Sequence, residues 1–290
     1  MPKILVGTDF STRSDRAIRR ALILAQGLDA ELRLVHVVDS DRPERLVDAE
    51  AREAEALLRA LAETLARTDG VACRFELRFG EAFEGVLAAA AELDADLLVL
   101  GPPRRQLLRG VITGTTVERV VRAGERPVLV ANGVPAGPYR RILFATDLSP
   151  GSARAAAVAR ALGLDRSASI LAVHVFPFAA ASLLVRTPLA AGAIEPLRAQ
   201  ERRAAAESLA RFLAEVGLVR AHRSVLPGER PVPDLVLEAA QRIRADLFLL
   251  ATRGRTGFGK LLLGSVAEEL LRRAELDLLA VPPDAPVGSA

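Results

Sequence analysis

The sequence is poor in the residues that most metal, disulfide and base-stacking sites require. Its 290 residues include one cysteine, Cys73, three histidines, one tyrosine and no tryptophan, and aromatic residues make up only 4%. A single cysteine excludes an internal disulfide framework and is typical of a reducing compartment, so we expect a cytoplasmic location. The histidines and the cysteine lack ligand spacing, so no metal site is predicted. Without aromatic stacking platforms, a nucleic acid is not an expected partner.

Long apolar runs and charge of one sign are also missing. No apolar run approaches the ~20 residues that a membrane helix needs, and the opening MPKILVGTDF lacks the order of a signal peptide. The net charge is only +3, and arginines alternate with glutamates, as in RPERLVDAEAREAEALLRALAE. This alternation is typical of a solvated helix face. We therefore expect no membrane partner, and the mild basic excess gives no support for nucleic-acid binding.

An internal repeat is the most informative feature of the sequence. Three segments of the first half return in the second: KILVGTDFS (3–11) as RILFATDLS (141–149), LVHVV (34–38) as AVHVF (172–176), and DADLLVLG (94–101) as RADLFLLA (244–251). The joint between the copies, NGVPAGPYR at 132–140, is a Gly/Pro-rich linker. We predict two domains, 1–133 (copy one) and 139–284 (copy two).

Each copy alternates short apolar runs with longer segments of helical period. In copy one the predicted strands are 3–8, 31–38, 72–79, 96–101 and 127–131, and the predicted helices are 12–26, 44–67, 82–93 and 114–123. In copy two the predicted strands lie near 141–146, 169–176, 219–226, 246–251 and 277–281. Strands that are apolar throughout indicate a parallel sheet covered on both faces. The predicted fold is α/β, with two tandem doubly wound, Rossmann-like domains of five strands in the order 3-2-1-4-5.

The predicted topology also indicates where a ligand would bind. In doubly wound sheets ligands bind beyond the carboxyl ends of the strands, where the strand order reverses. Strands 1 and 4 are neighbours at that point, so Asp9 would face the loop after Gly101, and Asp147 the loop after Ala251. A carboxylate can accept hydrogen bonds from ribose hydroxyls, while loop amides and a helix N-terminus hold phosphates. This arrangement suits a nucleotide.

Both copies resemble the universal stress protein family, and the resemblance covers almost the whole chain. The signature of the family's nucleotide-binding members is Gly-x2-Gly-x9-Gly followed by Ser or Thr. Copy two is similar to it as Ala251-x2-Gly254-x9-Gly264-Ser265, with alanine in place of the first glycine. The resemblance implies that these residues bind the phosphates of an adenine nucleotide.

Copy one matches the same signature less completely. It reads Gly101-x2-Arg104-x9-Gly114-Thr115, without the second glycine. The family also places an aspartate after strand 1 and a valine after strand 2 around the adenosine: Asp9 and Val37 in copy one, Asp147 and Val175 in copy two. The resemblance makes the copy-one residues the weaker candidates.

The loops of the two copies differ in the backbone donors that they offer. Gly254 allows close approach of the chain and a positive φ. Pro102 and Pro103 have no N–H group, and Arg104 occupies the second glycine's place. Hydrogen bonds to a charged group contribute about 1.5–3 kcal/mol each, so losing two would cost about 3–6 kcal/mol, a hundredfold or more in affinity. We predict one phosphate cradle, in copy two; ion pairs from Arg104 and Arg105 are the alternative for copy one.

Other motifs are weaker. The stretch GRTGFGK at 254–260 begins like a P-loop, but Leu261 stands where the Mg²⁺-binding Ser or Thr is required. No nucleophile has a base beside it, so we predict no catalytic residue. His36 and His174 lie in apolar strands and are interpreted as hydrogen-bonded core residues, and Cys73 as a buried, inert thiol.

These features predict a stress-response protein that binds ATP or another adenine nucleotide, with or without Mg²⁺, as a regulatory ligand. A nucleotide-free interaction or scaffold protein and a weak ATPase stay open as alternatives. The last strands, 126–131 and 276–281, are apolar edges that need cover. The resemblance implies that they pair as an intramolecular pseudo-dimer, and a homodimer of chains stays open. The apolar insert at 177–195 is expected to pack near the end of strand 2 or to bind a partner.

Overall fold

The computed structural model describes residues 1–103, 115–178, 191–254 and 263–287. Copy one contains β1 Lys3–Gly7, α1 Thr12–Leu28, β2 Glu31–Val38, α2 Glu44–Asp69, β3 Cys73–Phe79, α3 Ala82–Leu93, β4 Leu97–Leu100, α4 Thr116–Ala123 and β5 Val128–Val130. Copy two contains β6 Arg141–Ala145, α5 Pro150–Ala161, α6 Leu164–Ser167, β7 Ser169–Phe176, α7 Ala191–Glu215, β8 His222–Pro227, α8 Val232–Ile243, β9 Leu247–Ala251, α9 Ser265–Arg273 and β10 Asp277–Val281. The strands lie where the apolar runs predict them.

All ten strands form one sheet, in the order β3-β2-β1-β4-β5-β10-β9-β6-β7-β8. Each half has the order 3-2-1-4-5, so the predicted doubly wound topology is confirmed. Pairing is parallel within each half. The halves meet where β5 and β10 run antiparallel, with Leu129 opposite Leu279.

Helices from both copies cover each face of the sheet. The cores of α1, α2, α5 and α7 pack on one face, and those of α3, α4, α8 and α9 on the other. Phe144 and Phe248, both fully buried, belong to opposite faces of the sheet. Because side chains alternate along a strand, continuous apolar runs fill both layers, as the sequence predicts.

The turn after the first strand of each copy has the same construction. Phe10 and Leu148 adopt positive φ angles of 56° and 62°, and their N–H groups donate to Thr8 Oγ1 at 3.1 Å and Thr146 Oγ1 at 3.0 Å. Ser149 then caps α5 by accepting a hydrogen bond from the N–H of Ser152 at 3.2 Å.

The predicted core role of the two strand histidines is confirmed. Both are buried, and Nδ1 of each donates to the carbonyl oxygen of the threonine before the aspartate: His36 to Thr8 at 2.8 Å and His174 to Thr146 at 2.9 Å. The side chain of Cys73 is only half-buried, contrary to the expectation of full burial. Its surroundings still raise the pKa of the thiol to about 12 through desolvation, so the thiol stays protonated.

A buried polar cluster joins copy one, the linker and copy two. Asp277, at the start of β10, is 1% exposed; Oδ2 accepts from Arg20 Nε of α1 at 2.8 Å and from the Tyr139 hydroxyl at 2.6 Å. Oδ1 accepts from the N–H of Gly133 at 2.8 Å, and Arg20 also donates to the Gly137 carbonyl at 2.7 Å. The guanidinium lies 4.0 Å from the centre of the Tyr139 ring. These contacts fix the linker against both halves of the sheet.

The insert is described only in part. Residues 179–190 lie outside the described residues, so the expected position of this segment is not tested. Before the gap, Phe178 is buried at 4% exposure and packs with Phe176, Ala205 and Val225. After the gap, α7 begins. In the four described ranges, no helix is long and apolar enough to cross a bilayer.

Candidate functional site

The structure brings three of the predicted copy-two residues together. Asp147 follows β6 and Gly254 follows β9, the neighbouring strand. A Cβ added at Gly254 would lie 2.8 Å from Asp147 Oδ2, so a side chain there would displace the carboxylate. Gly264 lies beside the same segment, and its N–H donates to the Thr252 carbonyl at 2.8 Å. A carboxylate, a close-packed glycine and a helix start therefore meet at one edge of the sheet.

The Asp147 carboxylate is oriented by its own turn. Oδ1 accepts from the N–H of Ser149 at 3.1 Å and from the Ser152 hydroxyl at 2.8 Å. Asp147 therefore has a local role in holding the turn between β6 and α5. These bonds involve Oδ1, and Oδ2 faces Gly254.

Val175 and Val37 lie at matching places beside the two aspartates. In copy two, Val173 pairs with Ala145, and Val175 and Asp147 each follow that pair by two residues. In copy one, Val37 and Asp9 follow the pair Val35 and Gly7 in the same way. Both valines are half-buried. Each is therefore level with the aspartate of its copy at the carboxyl edge of the sheet.

The strand end at the first signature position packs against the first helix of its copy, and does so differently in the two copies. In copy one, a Cβ added at Gly101 would lie 2.6 Å from the carbonyl oxygen of Arg13, in the first turn of α1. In copy two the residue at Arg13's position is Gly151, and a Cβ added there would lie 3.4 Å from the Ala251 Cβ. Copy two therefore accommodates a methyl group, that of Ala251, at the place where copy one has no room for one at Gly101.

The helices that follow the two loops begin differently. Thr115 caps α4 in a capping box: its Oγ1 accepts from the N–H of Glu118 at 3.3 Å, and Glu118 Oε2 accepts from the N–H of Thr115 at 3.0 Å. At α9, which starts at Ser265 after Gly264, no side chain of the described residues caps the N-terminus. Uncapped first-turn N–H groups and the helix dipole favour an anion, so α9 suits a phosphate better than α4.

The copy-one aspartate already has a cationic partner. Asp9 Oδ1 accepts hydrogen bonds from the N–H, at 3.1 Å, and from the hydroxyl of Ser11, while Arg13 Nη2 lies 3.4 Å from Oδ2. Partial burial raises the pKa of Asp9, but the hydrogen bonds from Ser11 and the charge of Arg13 outweigh it, so the pKa is lowered. In copy two Gly151 replaces the arginine.

Of the two amides that copy one lacks at Pro102 and Pro103, only one could have served as a ligand donor. The copy-two residue that corresponds to Pro102 is Thr252, whose N–H donates to the Val281 carbonyl at 2.9 Å. This amide belongs to the sheet, so its absence at Pro102 removes no ligand donor. Only the position of Pro103 can matter, and the expected cost falls to about 1.5–3 kcal/mol.

The parts of the predicted site that lie outside the described residues are Gly114, the copy-one stretch 104–114 with both arginines, and the copy-two stretch 255–262.

Because β5 and β10 are antiparallel, the carboxyl ends of the strands of the two copies point to opposite edges of the sheet. The two candidate sites are therefore separate. Across the described ranges, no group of three or more His, Cys, Asp or Glu side chains could hold a metal ion.

Three residues of these sites are not singled out by the sequence reasoning. Gly151 and Arg13 occupy one repeat position, four residues after the aspartate, so comparison of the copies signals them. Glu118 completes a Thr-x-x-Glu capping pattern with Thr115. Copy two has Ser-x-x-Glu at the same place, beginning at Ser265, yet it forms no such box. That difference shows only in the structure.

Comparisons with known proteins agree with the duplicated architecture. The model of the universal stress protein family matches residues 1–132 and again residues 138–282. A universal stress protein from Mycolicibacterium smegmatis is 28% identical over 303 residues, which cover 97% of each chain. The crystal structure of a universal stress protein from Archaeoglobus fulgidus has a TM-score of 0.71 at 17% identity, covering 97% of this chain and 98% of that one, which shows a shared fold. Another solved structure is a universal stress protein in complex with cAMP, 24% identical, with a TM-score of 0.37; it covers 44% of this chain and 94% of that one.

Proposed function

The chain belongs to the universal stress protein family, and we propose that it binds ATP or another adenine nucleotide in copy two as a regulatory ligand. The observation that carries this proposal is the close approach of Gly254 to the Asp147 carboxylate, beside the start of α9, which no side chain of the described residues caps. A ribose acceptor and phosphate donors then lie at the same edge of the sheet.

In the proposed complex each residue has a separate role. Oδ2 of Asp147 accepts a hydrogen bond from a ribose hydroxyl, and Val175 contacts the adenosine. Ala251 and Gly254 keep the backbone close to the phosphates, and the N–H groups and dipole at the first turn of α9 stabilise the negative charge of the phosphates. The N–H of Gly264 is already used, so Ser265 contributes its hydroxyl and N–H instead. Mg²⁺ would enter with the phosphate oxygens.

Copy one is proposed to have a structural role. Asp9 with Arg13, and Thr115 with Glu118, use within the protein the groups that a nucleotide would need. The candidates Val37 and Gly101 remain at matching places, but a ligand would first have to break the ion pair of Asp9. The difference between the helix starts, with α4 capped by Thr115 and Glu118 and α9 capped by no described side chain, supports one nucleotide per chain.

The wider organisation is also part of the proposal. We divide the chain into domains 1–133 and 139–284, which form an intramolecular pseudo-dimer; the antiparallel contact of β5 and β10 and the Asp277 cluster support it. The single cysteine supports the cytoplasm as the location. No described side-chain arrangement favours hydrolysis over binding, so the nucleotide is taken as a ligand rather than a substrate.

Isothermal titration calorimetry with ATP tests the proposal. We expect about one ATP per chain. Gly254→Val should abolish binding, because a side chain there meets Asp147 Oδ2. Asp147→Asn should weaken binding at least tenfold, because it replaces a charged acceptor of the ribose.

Two variants serve as matched controls. Ala251→Gly restores the family residue, and Asp9→Asn changes the corresponding carboxylate of copy one; both should leave ATP affinity within about twofold. Two equivalent sites, or binding that survives Gly254→Val and disappears with Asp9→Asn, would overturn the assignment. No heat of binding with the folded wild-type chain at millimolar Mg-ATP would favour the nucleotide-free scaffold.

A further inference from the structure

A groove lies between α7 and β8, at the outer edge of the ten-stranded sheet and on the far side of copy two from β10. Its volume is about 470 Å³. In the described part of the chain, β8 pairs only with β7, so one row of its backbone N–H and C=O groups has no strand partner. Such an edge can accept an additional strand.

The groove has an apolar base and a cationic border. Ala199, Ala206 and Val225 line it and are partly buried, whereas Arg202 and Arg223 also line it and are exposed. Because the alanine side chains on α7 are small, they leave space between the helix and β8. A chain segment lying there would contact methyl groups below and guanidinium groups at its sides.

Most of the positive charge of the groove is not balanced. The one acidic side chain among the lining residues, Glu195, lies 3.9 Å from Arg198, which also forms an ion pair with Glu229 at 2.7 Å. For Arg202, Arg203 and Arg223, the described residues supply no ion pair. Guanidinium groups match carboxylates with two parallel hydrogen bonds, so this surface is complementary to acidic side chains.

Copy one also has arginines at the corresponding edge, but they have acidic partners: Arg59 of α2 pairs with Glu55 at 2.7 Å, and Arg74 of β3 lies 3.8 Å from Glu31. The strand register places Phe75 of β3 where β8 has Arg223, and Glu76 where β8 has Ser224. Glu76 in turn forms an ion pair with Arg78 at 3.3 Å. An apolar and internally neutralised edge in one copy, and an arginine-bordered edge in the other, indicate that the groove is a feature of copy two rather than of the fold.

We infer that the groove binds an acidic protein segment, which adds to β8 as an extended strand. Its backbone pairs with the free edge, and its carboxylates, at alternate positions and therefore on one face of the added strand, reach Arg202 and Arg223 on the α7 side of the sheet. A single-stranded nucleic acid fits less well, because no aromatic side chain is among those that line the groove. The inference does not depend on nucleotide binding, since the groove and the Gly254 site involve different residues.

Fluorescence polarisation tests the inference on the full chain, with a fluorescein-labelled Glu-Val-Glu-Val-Glu-Val-Glu peptide as the probe. We expect saturable binding of this peptide that weakens with salt, and no binding of the corresponding Lys-Val peptide. The double variant Arg202→Ala, Arg223→Phe should weaken binding about tenfold or more. Arg223→Phe introduces the residue that copy one has at this register position, so the fold should tolerate it.

The controls separate strand addition from a general effect of charge. Removing two exposed arginines of α2, in Arg52→Ala with Arg59→Ala, should leave peptide affinity within about twofold. N-methylation of alternate peptide nitrogens on the pairing side keeps the carboxylates and should abolish binding. Equal binding of the methylated peptide, equal loss in the α2 control, stronger binding of single-stranded oligothymidine, or no peptide binding would each overturn the inference.

Discussion

Replacing Asp277 by alanine is expected to be among the most damaging single changes to this protein. Asp277 is 1% exposed and accepts three hydrogen bonds, from Arg20, Tyr139 and Gly133. The change leaves the guanidinium of Arg20, itself 5% exposed, without its counter-ion, and leaves two further donors without an acceptor. The loss therefore falls on the contact between the two copies.

The magnitude follows from two opposing effects. Three hydrogen bonds to a charged group, at about 1.5–3 kcal/mol each, set an upper limit of about 4.5–9 kcal/mol. Desolvation opposes this gain: burial raises the pKa of Asp277, and the bonds from Tyr139, Arg20 and Gly133 offset that effect only in part. We therefore expect the value that is usual for breaking one half of a buried pair, a loss of about 3–5 kcal/mol in the free energy of unfolding.

Urea unfolding followed by circular dichroism measures this loss. The double variant Arg20→Met, Asp277→Leu removes both charges together and should be more stable than Asp277→Ala, because no isolated charge stays buried. A loss below about 1 kcal/mol for Asp277→Ala would show that the cluster does not hold the copies together. A double variant no more stable than the single one would contradict the electrostatic explanation.

Three further predictions concern single residues. Asp9→Asn should reduce stability at pH 7: the lowered pKa of Asp9 stabilises the folded state above the ordinary value of 3.8, and this stabilisation is lost as the pH falls through the folded-state pKa. Urea unfolding at several pH values should show that the difference in the free energy of unfolding between Asp9→Asn and wild type becomes smaller below pH 3.8. A difference that stays constant with pH would contradict this prediction. Cys73, with its pKa raised from 9.0 to about 12, should react with iodoacetamide at pH 8 about a thousandfold more slowly than in the urea-unfolded chain, and comparable rates would refute this. Gly101→Ala should cost about 1–3 kcal/mol in thermal unfolding, since the new methyl meets the Arg13 carbonyl, whereas Ala251→Gly, which removes a methyl that copy two already accommodates, should cost under about 1 kcal/mol; equal losses would contradict the clash at Gly101.

Much of the fold could be predicted because the signals are local and occur twice. Apolar runs such as ILV in β1 and VLV in β5 have no helical period, while the intervening segments do, so strands and helices separate clearly. Parallel strands with helical crossovers leave few topologies, and the doubly wound order then brings Asp147 and Gly254 together although they are far apart in sequence. The sequence alone therefore determined the architecture and the place of the candidate site.

The tertiary structure decided which groups at that place are available. The N–H of Thr252 is used by the sheet, Thr115 caps its own helix while Ser265 does not, and Ala251 carries a methyl group where Gly101 has no room for one. Each of these facts depends on a contact between segments that are far apart in the chain, or on the exact residue at which a helix begins. A pattern of residue types specifies neither the contact nor the exact helix start. The same holds for the Asp277 cluster and the arginine groove, because burial and the pairing of charges exist only once the elements have packed.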